Sequence, residues 1–241
     1  MYWCFIIIAF ICIVYIMQPI PVKRSPRTKY LFMTGGYDSV FRLCQIVISE
    51  KVPVQPIYLN IPSTDGRTVR RRNVNFEIQS MRKVINELTN MGYGHLIYPI
   101  QIITESKLSE PVIQAGKQFY AAGTFNRPVT QYINMAEVSL QMNEIIETGV
   151  LCADGGAISK TIGHIIDPKS KMMDMYKTHN KSELIFRNLK FPLCGTSKKQ
   201  MLEIAKRDGY DHILHLTISC WYPDKNGNPC NSCNMCRERI I

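Results

Sequence analysis

Short apolar runs alternate with segments of helical periodicity along most of the chain, beginning at Tyr30. The apolar runs predict buried strands, and the segments between them predict helices with one apolar face each. Strands that alternate with helices in this way build a parallel sheet with helices on both faces. The sequence therefore predicts an α/β fold with an open parallel sheet, and its 46% of hydrophobic residues are enough for a sizeable core.

The predicted elements are spread over the region from Tyr30 to Ile218. The predicted strands are Tyr30–Met33, Val54–Leu59, His95–Ile103, Val150–Ala153 and Ile213–Ile218. The predicted helices are Ser39–Ser49, Asn73–Asn90, Val129–Thr148 and the segment that runs from the capping-box residue Ser197 to Asp208. Two long stretches, Ile61–Arg72 and Thr104–Pro128, are predicted to be irregular, and loops of such length are often functional.

The first predicted strand ends in the turn Thr34-Gly35-Gly36-Tyr37-Asp38-Ser39, here called the glycine loop, which leads into a helix. Ligands of open parallel sheets bind where strands end. Glycines let the backbone turn tightly, and the start of a helix offers free N–H groups to a phosphate. The hydroxyls of Thr34 and Ser39 add donors, and Asp38 can cap the helix or hold a metal ion bound to phosphates. A phosphate site is thus one interpretation, and a plain turn with an aspartate N-cap is the other.

Four of the nine cysteines lie within the last 22 residues, at Cys220, Cys230, Cys233 and Cys236. An odd total with short CxxC spacings argues against a secreted disulfide framework and for a reducing compartment. Four thiolates delivered from one short stretch, here called the cysteine segment, suit the tetrahedral coordination of zinc (Zn²⁺). With all four positions filled by protein ligands, the predicted site is structural. An iron–sulfur cluster is the alternative.

Residues 1–17 contain no charged side chain and approach the length of a membrane-spanning helix. Positive charges follow them, which predicts a membrane anchor with the rest of the chain on the cytoplasmic side. The alternative is a soluble cytoplasmic protein whose translation starts at Met17. The prolines of residues 18–29 predict a linker, and residues 30–241 then form one domain that includes the cysteine segment.

The chain carries a formal net charge of +10, which suits phosphate-bearing partners but is equally typical of a solubilising surface. The basic residues are spread along the chain, and Arg70–Arg72 is the one tight run. A dedicated nucleic-acid surface is therefore not predicted.

The glycine loop resembles the SGGxDS pyrophosphate-binding motif of the PP-loop ATP pyrophosphatases, with Thr34 in place of the first serine. The resemblance implies an adenine nucleotide α-hydrolase-like (HUP) fold. It also implies ATP binding and the cleavage of ATP to AMP and pyrophosphate, with Mg²⁺ as counter-ion. The residues that it assigns to the nucleotide are Thr34, Gly35, Gly36, Tyr37, Asp38, Ser39 and Val40.

Together with the spacing of the four cysteines, the glycine loop resembles the 7-cyano-7-deazaguanine synthase family of queuosine biosynthesis, over roughly Tyr30–Arg239. Ser197-Lys198 after Phe191-Pro192-Leu193 also fits this family, as does Leu216–Tyr222, which leads into the first cysteine. The chain departs from the family in its substrate loops. Phe125-Asn126-Arg127-Pro128 stands near the place of a Pro-Gly-Arg-Asn loop, and residues 154–173 match only loosely.

This resemblance implies that 7-carboxy-7-deazaguanine and ammonia are converted to 7-cyano-7-deazaguanine through an adenylated intermediate, in a homodimer. It assigns catalysis to Asp38, Ser39 and Lys198, with Arg127 as a further charge near the phosphates. Tyr58 and Asn60, at the end of the second strand, are expected to contact the adenosine.

Two alternatives remain open at this stage. The chain could be a PP-loop ATPase that acts on another substrate such as a tRNA base, where thiolation would require a cysteine pair, with Cys152 and Cys194 as candidates. It could also be a non-catalytic, zinc-stabilised nucleotide-binding domain.

Overall fold

Five parallel strands form one sheet in the computed structural model, which describes residues 25–61, 73–121, 130–151, 163–174 and 185–237. The strands are β1 (Lys29–Phe32), β2 (Val54–Leu59), β3 (Gln101–Ile103), β4 (Ile146–Glu147) and β5 (Leu189–Lys190). Their order across the sheet is β3-β2-β1-β4-β5, and each neighbouring pair is parallel. The predicted α/β class with an open parallel sheet is confirmed.

Helices connect and flank these strands. They are α1 (Tyr37–Cys44), which continues into a π-helical turn (Gln45–Ser49), α2 (Val74–Asn90), α3 (Glu110–Ala121), α4 (Thr130–Met142), α5 (Lys198–Arg207), α6 (Asp211–Leu214) and α7 (Asn234–Arg237). Short 3₁₀ turns lie at Gly94–Leu96 and Gly163–Ile165.

The two faces of β1 belong to two separate hydrophobic cores. Leu31 and Met33 pack in the core that also receives buried side chains of α1, α2 and α5. Tyr30 and Phe32 pack in the other core, with residues of α3 and α4. Successive side chains of a strand point to opposite faces, so a wholly apolar strand is what a sheet covered on both sides requires.

The strand order reverses direction at β1. From β1 the chain builds β2 and β3 on one side, and it later returns to place β4 and β5 on the other side. The carboxyl ends of β1 and β4 therefore border the crevice where ligands of doubly wound sheets bind. The glycine loop leaves β1 at this point.

Three predicted elements were wrong in position. The predicted strand Ile213–Ile218 begins instead as α6, because an apolar run this short fits a buried helix as well as a strand. The fourth strand is β4, not Val150–Ala153. β4 lies within the range that was predicted to be the helix Val129–Thr148. In the structure this helix, α4, ends at Met142, and the next residue, Asn143, has a left-handed φ of 51°.

Other predicted boundaries were closer. The strand Val54–Leu59 agrees with β2 at both ends, and the capping box at Ser197 is present at the start of α5. The predicted strand His95–Ile103 shrinks to β3, and the stretch Thr104–Pro128 contains α3. β5 was missed because its two residues carry no detectable alternation.

Several predictions fall outside the described residues. These are the apolar segment 1–17 with the first part of the linker, Arg70–Arg72, Phe125–Pro128, Cys152 and residues 154–162. Among the residues that the structure describes, no helix has the length and apolar character needed to cross a bilayer. The membrane anchor thus stays a prediction.

Candidate functional site

Gly35 makes the sharp bend of the glycine loop. Its φ of +71° is in the left-handed region, where L side chains are strained. A Cβ at this position would also lie 2.7 Å from the carbonyl oxygen of Glu77 in α2. Glycine is therefore required here both by the backbone conformation and by the close approach of α2.

Ser39 closes the glycine loop from within. Its hydroxyl donates to the carbonyl oxygen of Gly36 at 3.1 Å and accepts from the backbone N–H of Thr34 at 3.3 Å. The backbone N–H of Val40 also reaches the carbonyl oxygen of Gly36, at 3.0 Å, and the Val40 side chain is fully buried. The predicted residues Thr34, Gly36, Ser39 and Val40 thus form one compact turn.

Asp38 lies in the first turn of α1, whereas the N-cap residue is Gly36 in an extended conformation. The glycine loop is therefore not a turn built around an aspartate N-cap, which was the simpler interpretation of the sequence. Beside Asp38, the phenol of Tyr37 is buried. Burial, assisted by the negative charge of Asp38, raises the pKa of Tyr37 to about 12. Tyr37 therefore stays neutral at physiological pH.

Gly149, just after β4, packs against the start of α1. A Cβ at Gly149 would lie 2.8 Å from the backbone nitrogen of Ser39 and 3.0 Å from its Cα. The backbone after β4 therefore lies directly against the backbone of the first turn of α1. Gly149 was not predicted as a site residue, because it follows a segment predicted as a helix; a glycine directly after a predicted strand would have been the signal.

Buried charges fix α1 to the sheet. Arg42 is 5% exposed, and its Nε donates to a carboxylate oxygen of Glu147 in β4 at 2.6 Å. Its Nη1 lies 2.6 Å from a carboxylate oxygen of Glu50, and Lys29 pairs with both acids. The pair between Arg42 and Glu147 joins α1 to β4 two residues before Gly149. These charged residues were not predicted as part of the site.

Lys198 is the first residue of α5, after the Ser197 N-cap, and its side chain is half-buried. It follows the turn after β5, so it lies toward the same edge of the sheet as the glycine loop. Tyr58 was expected to contact adenosine, but its side chain is fully buried and its hydroxyl donates to Glu77 at 2.5 Å. That expectation was wrong, because the ring faces α2. Asn60 remains a prediction.

The four predicted metal ligands come together. The Sγ atoms of Cys220, Cys230, Cys233 and Cys236 all lie within 4.8 Å of one another, and the Cys230–Cys236 and Cys233–Cys236 pairs are 3.9 and 3.5 Å apart. Zinc–sulfur bonds of about 2.3 Å in a tetrahedron place sulfurs about 3.8 Å apart. The cluster therefore has the size and the donor set that zinc requires.

Hydrogen bonds to sulfur shape the cluster further. The backbone N–H of Cys230 donates to the Cys220 sulfur at 3.2 Å, and that of Cys233 donates to the Cys230 sulfur at 3.3 Å. The Ser232 hydroxyl and nearby backbone N–H groups lower the pKa of Cys230 to about 5. Burial and the neighbouring cysteines raise the pKa of Cys236 to about 12. A cation bound among the sulfurs would favour thiolates at all four positions.

The chain reaches the cysteine segment through Leu216–Ser219, here called the connecting segment, which packs on the glycine loop. The backbone N–H of Ile218 donates to the carbonyl oxygen of Gly35 at 3.0 Å. The Ser80 hydroxyl, on α2, lies 2.9 Å from the carbonyl oxygens of both Gly35 and Leu216. The backbone N–H of Tyr37 points at the Ser219 hydroxyl, 3.5 Å away.

A second set of contacts joins Cys220, the first residue of the cysteine segment, to the start of α2. The side-chain amide of Asn73 donates to the carbonyl oxygen of Cys220 at 3.3 Å and to the Glu77 carboxylate at 2.8 Å. Glu77 in turn accepts from Tyr58. Asn73 and Ser80 were not predicted as site residues, since their partners are backbone atoms distant in sequence. The glycine loop and the cysteine segment therefore form one contiguous structure.

Residues 168–240 match the family model of the queuosine biosynthesis protein QueC. This part of the chain is similar to QueC. The matched residues include the cysteine segment, the connecting segment and Lys198, and they confirm the resemblance predicted from the sequence for this part of the chain. The glycine loop precedes the matched region.

Among solved structures, the chain is similar to a predicted subunit of a tRNA methyltransferase from Methanocaldococcus jannaschii, at 14% identity over 74% of each chain and with a TM-score of 0.38. A TM-score below 0.5 does not establish a common fold, so the fold assignment rests on the strand order. No curated protein matches the chain at a significant level.

Proposed function

We propose that the protein uses ATP and ammonia to convert 7-carboxy-7-deazaguanine to 7-cyano-7-deazaguanine. One observation carries the proposal: the backbone hydrogen bond from Ile218 to Gly35 joins the region that matches QueC to the glycine loop. A motif typical of ATP pyrophosphatases and a region typical of queuosine biosynthesis thereby share one site, at the crevice where doubly wound sheets bind ligands.

The reaction depends mainly on positioning the reactants and on stabilising the negative charge that develops. The substrate carboxylate attacks the α-phosphate of ATP, and pyrophosphate leaves. Ammonia then displaces AMP to give the amide. A second adenylation, now on the amide oxygen, releases another pyrophosphate, and loss of AMP and of both amide protons then gives the nitrile.

Particular residues would bind the phosphates and the metal ion of this reaction. The backbone N–H groups at the start of α1 would bind the pyrophosphate, with Asp38 beside them as a ligand for Mg²⁺. Lys198 would approach from α5 and stabilise the departing phosphates. Zinc, held by the four cysteines, would have a structural role, because each of its positions is filled by protein. A homodimer stays an expectation.

A different substrate is the second candidate, and a tRNA base is its example. Cys194 is disulfide-bonded in the structure, and Cys152, the other candidate for the cysteine pair of thiolation, lies outside the described residues. A non-catalytic nucleotide-binding domain is the third candidate, and it differs from the other two in showing no turnover.

The test of the proposal is product identification. The full chain, purified with its metal, is incubated with ATP, Mg²⁺, ammonium and 7-carboxy-7-deazaguanine, and the deazaguanine fraction is analysed by mass spectrometry. We expect a product lighter than the substrate by the mass of a carboxylic acid converted to a nitrile. Unchanged substrate, under conditions in which the protein binds ATP, would contradict the proposed substrate.

A further inference from the structure

The connecting segment places one hydroxyl at the mouth of the glycine loop. The Ser219 oxygen lies 3.5 Å from the backbone nitrogen of Tyr37, the first residue of α1. It would lie 3.7 Å from a Cβ at Gly36. Ser219 is half-buried, so the residue is in part accessible to a ligand.

This hydroxyl lies beside the place where an anion would bind at the start of α1. The N–H groups of the first helical turn have no partner inside the helix, and they are the groups that bind phosphate at helix starts. In the structure, the N–H of Tyr37 points at the Ser219 oxygen. A serine hydroxyl that accepts a hydrogen bond retains its own proton as a donor. Ser219 is therefore placed to donate to an anion bound at the start of α1.

We propose that Ser219 is a pyrophosphate-binding residue, supplied to the glycine loop by the segment that leads into the cysteine segment. The inference rests on the proposed function, because it assigns a further ligand to the same ATP site. A role of Ser219 in binding would also give a reason for the hydrogen bonds that hold the connecting segment against the glycine loop and α2. The bonds from Ile218 to Gly35 and from Ser80 to Leu216 fix its backbone just before Ser219.

The contacts on the other side of Ser219 link this residue to the metal cluster. The next residue, Cys220, is a predicted metal ligand, and its carbonyl oxygen accepts from Asn73, the N-cap residue of α2. The Ser219 hydroxyl is thus held between a ligand of the metal and the first turn of α1.

The experiment measures binding, not turnover. Inorganic pyrophosphate with Mg²⁺ is titrated calorimetrically into the full-length protein, and zinc content is measured on the same samples. The variants are Ser219→Ala, Ser219→Thr and the control Ser170→Ala, which makes the same change in an exposed turn without contacts to the glycine loop. A hydrogen bond to a charged group is lost in Ser219→Ala, so we expect about tenfold weaker binding.

Zinc content decides between a direct and a structural effect. We expect Ser219→Ala to keep one zinc per chain, Ser219→Thr to restore most of the affinity, and Ser170→Ala to bind as the wild type does. Equal affinity of Ser219→Ala and wild type would overturn the inference alone. Loss of affinity together with loss of zinc would also overturn it, since the serine would then act on the metal site. A wild-type protein that binds neither pyrophosphate nor ATP would overturn the proposed function itself.

Discussion

The glycine loop and the cysteine segment lie against each other but are stabilised in different ways. The glycine loop is set between a buried strand and a helix whose residues Val40, Phe41 and Leu43 are fully buried. In the cysteine segment, only Cys220, Pro223 and Cys233 are buried, and its one regular element among the described residues is α7. Apolar burial and backbone hydrogen bonds therefore shape the first region. The second has little apolar burial, and we expect ligation of a metal by its four sulfurs to stabilise it.

The largest effect is expected from breaking the metal site with Cys233→Ser. A structural zinc contributes free energy directly to folding, and a loss of about 4 kcal/mol would lower the Tm of a chain of this size by roughly 10 °C. We expect zinc content to fall well below one per chain, with most of the far-UV circular dichroism of the sheet and its helices retained.

Cys44→Ala is the matched control for the cysteine substitution. Cys44 is a free and fully buried thiol in α1, outside the metal cluster. Its removal leaves a small cavity, which costs about 1–2 kcal/mol, but zinc content is expected to stay at one per chain. A Cys233→Ser protein that keeps its zinc would show that the cluster does not need all four sulfurs.

The buried ion pair between α1 and β4 gives the next largest effect. Arg42→Met leaves the Glu147 carboxylate, which is 3% exposed, without its guanidinium, and we expect a loss of about 3–5 kcal/mol in the free energy of unfolding. The measurement is urea denaturation. The double variant Arg42→Met/Glu147→Leu removes both charges and is expected to recover much of this loss. A double variant as unstable as the single one would contradict the account.

A pair of glycine substitutions isolates the close approach of α2 to the glycine loop. Gly35 and Gly195 have φ angles of +71° and +90°, but only at Gly35 would a Cβ meet neighbouring atoms within 4 Å. We expect Gly195→Ala to cost about 1 kcal/mol and Gly35→Ala about 2–3 kcal/mol, because the second adds a clash to the strain. Equal losses in denaturation would mean that α2 moves aside freely.

The smallest effect concerns pH. Burial alone would raise the pKa of Glu50, but hydrogen bonds from Lys29 and Arg42 outweigh it and lower that pKa below its model-peptide value of 4.5. Since the folded-state pKa is depressed, this stabilisation is present above pH 4.5 and is lost as the pH falls through the folded-state value. We expect Glu50→Gln to flatten the acid side of the stability profile by less than about 1 kcal/mol, because Glu50 is partly exposed.

Local patterns were sufficient for the parts of the molecule that depend on neighbours in sequence. The glycine loop, the four cysteines and the capping box at Ser197 are each encoded within a few residues, and the structure contains all of them. The contacts that join these parts could not be predicted in the same way. Ser80 bonds to Gly35 and Leu216, which are 45 and 136 residues away, through backbone atoms that carry no sequence signal.

The errors in the fold have a related cause. Ile213 and Leu214 are buried, and burial alone does not distinguish a strand from a helix. β4 and β5 have two residues each, too few for an alternating pattern. Their positions are set by pairing with β1 and with each other, which is a property of the assembled sheet.

Substrate-dependent release of pyrophosphate from ATP tests the central claim most directly. The full-length protein, with Mg²⁺ and ammonium, is assayed with and without 7-carboxy-7-deazaguanine, beside Asp38→Ala and the control Asp208→Ala, at the carboxyl end of α5. We predict release that requires the deazaguanine, is lost in Asp38→Ala and persists in Asp208→Ala. Release that is independent of the deazaguanine, or that survives in Asp38→Ala, would contradict the assignment of this chemistry to the glycine loop.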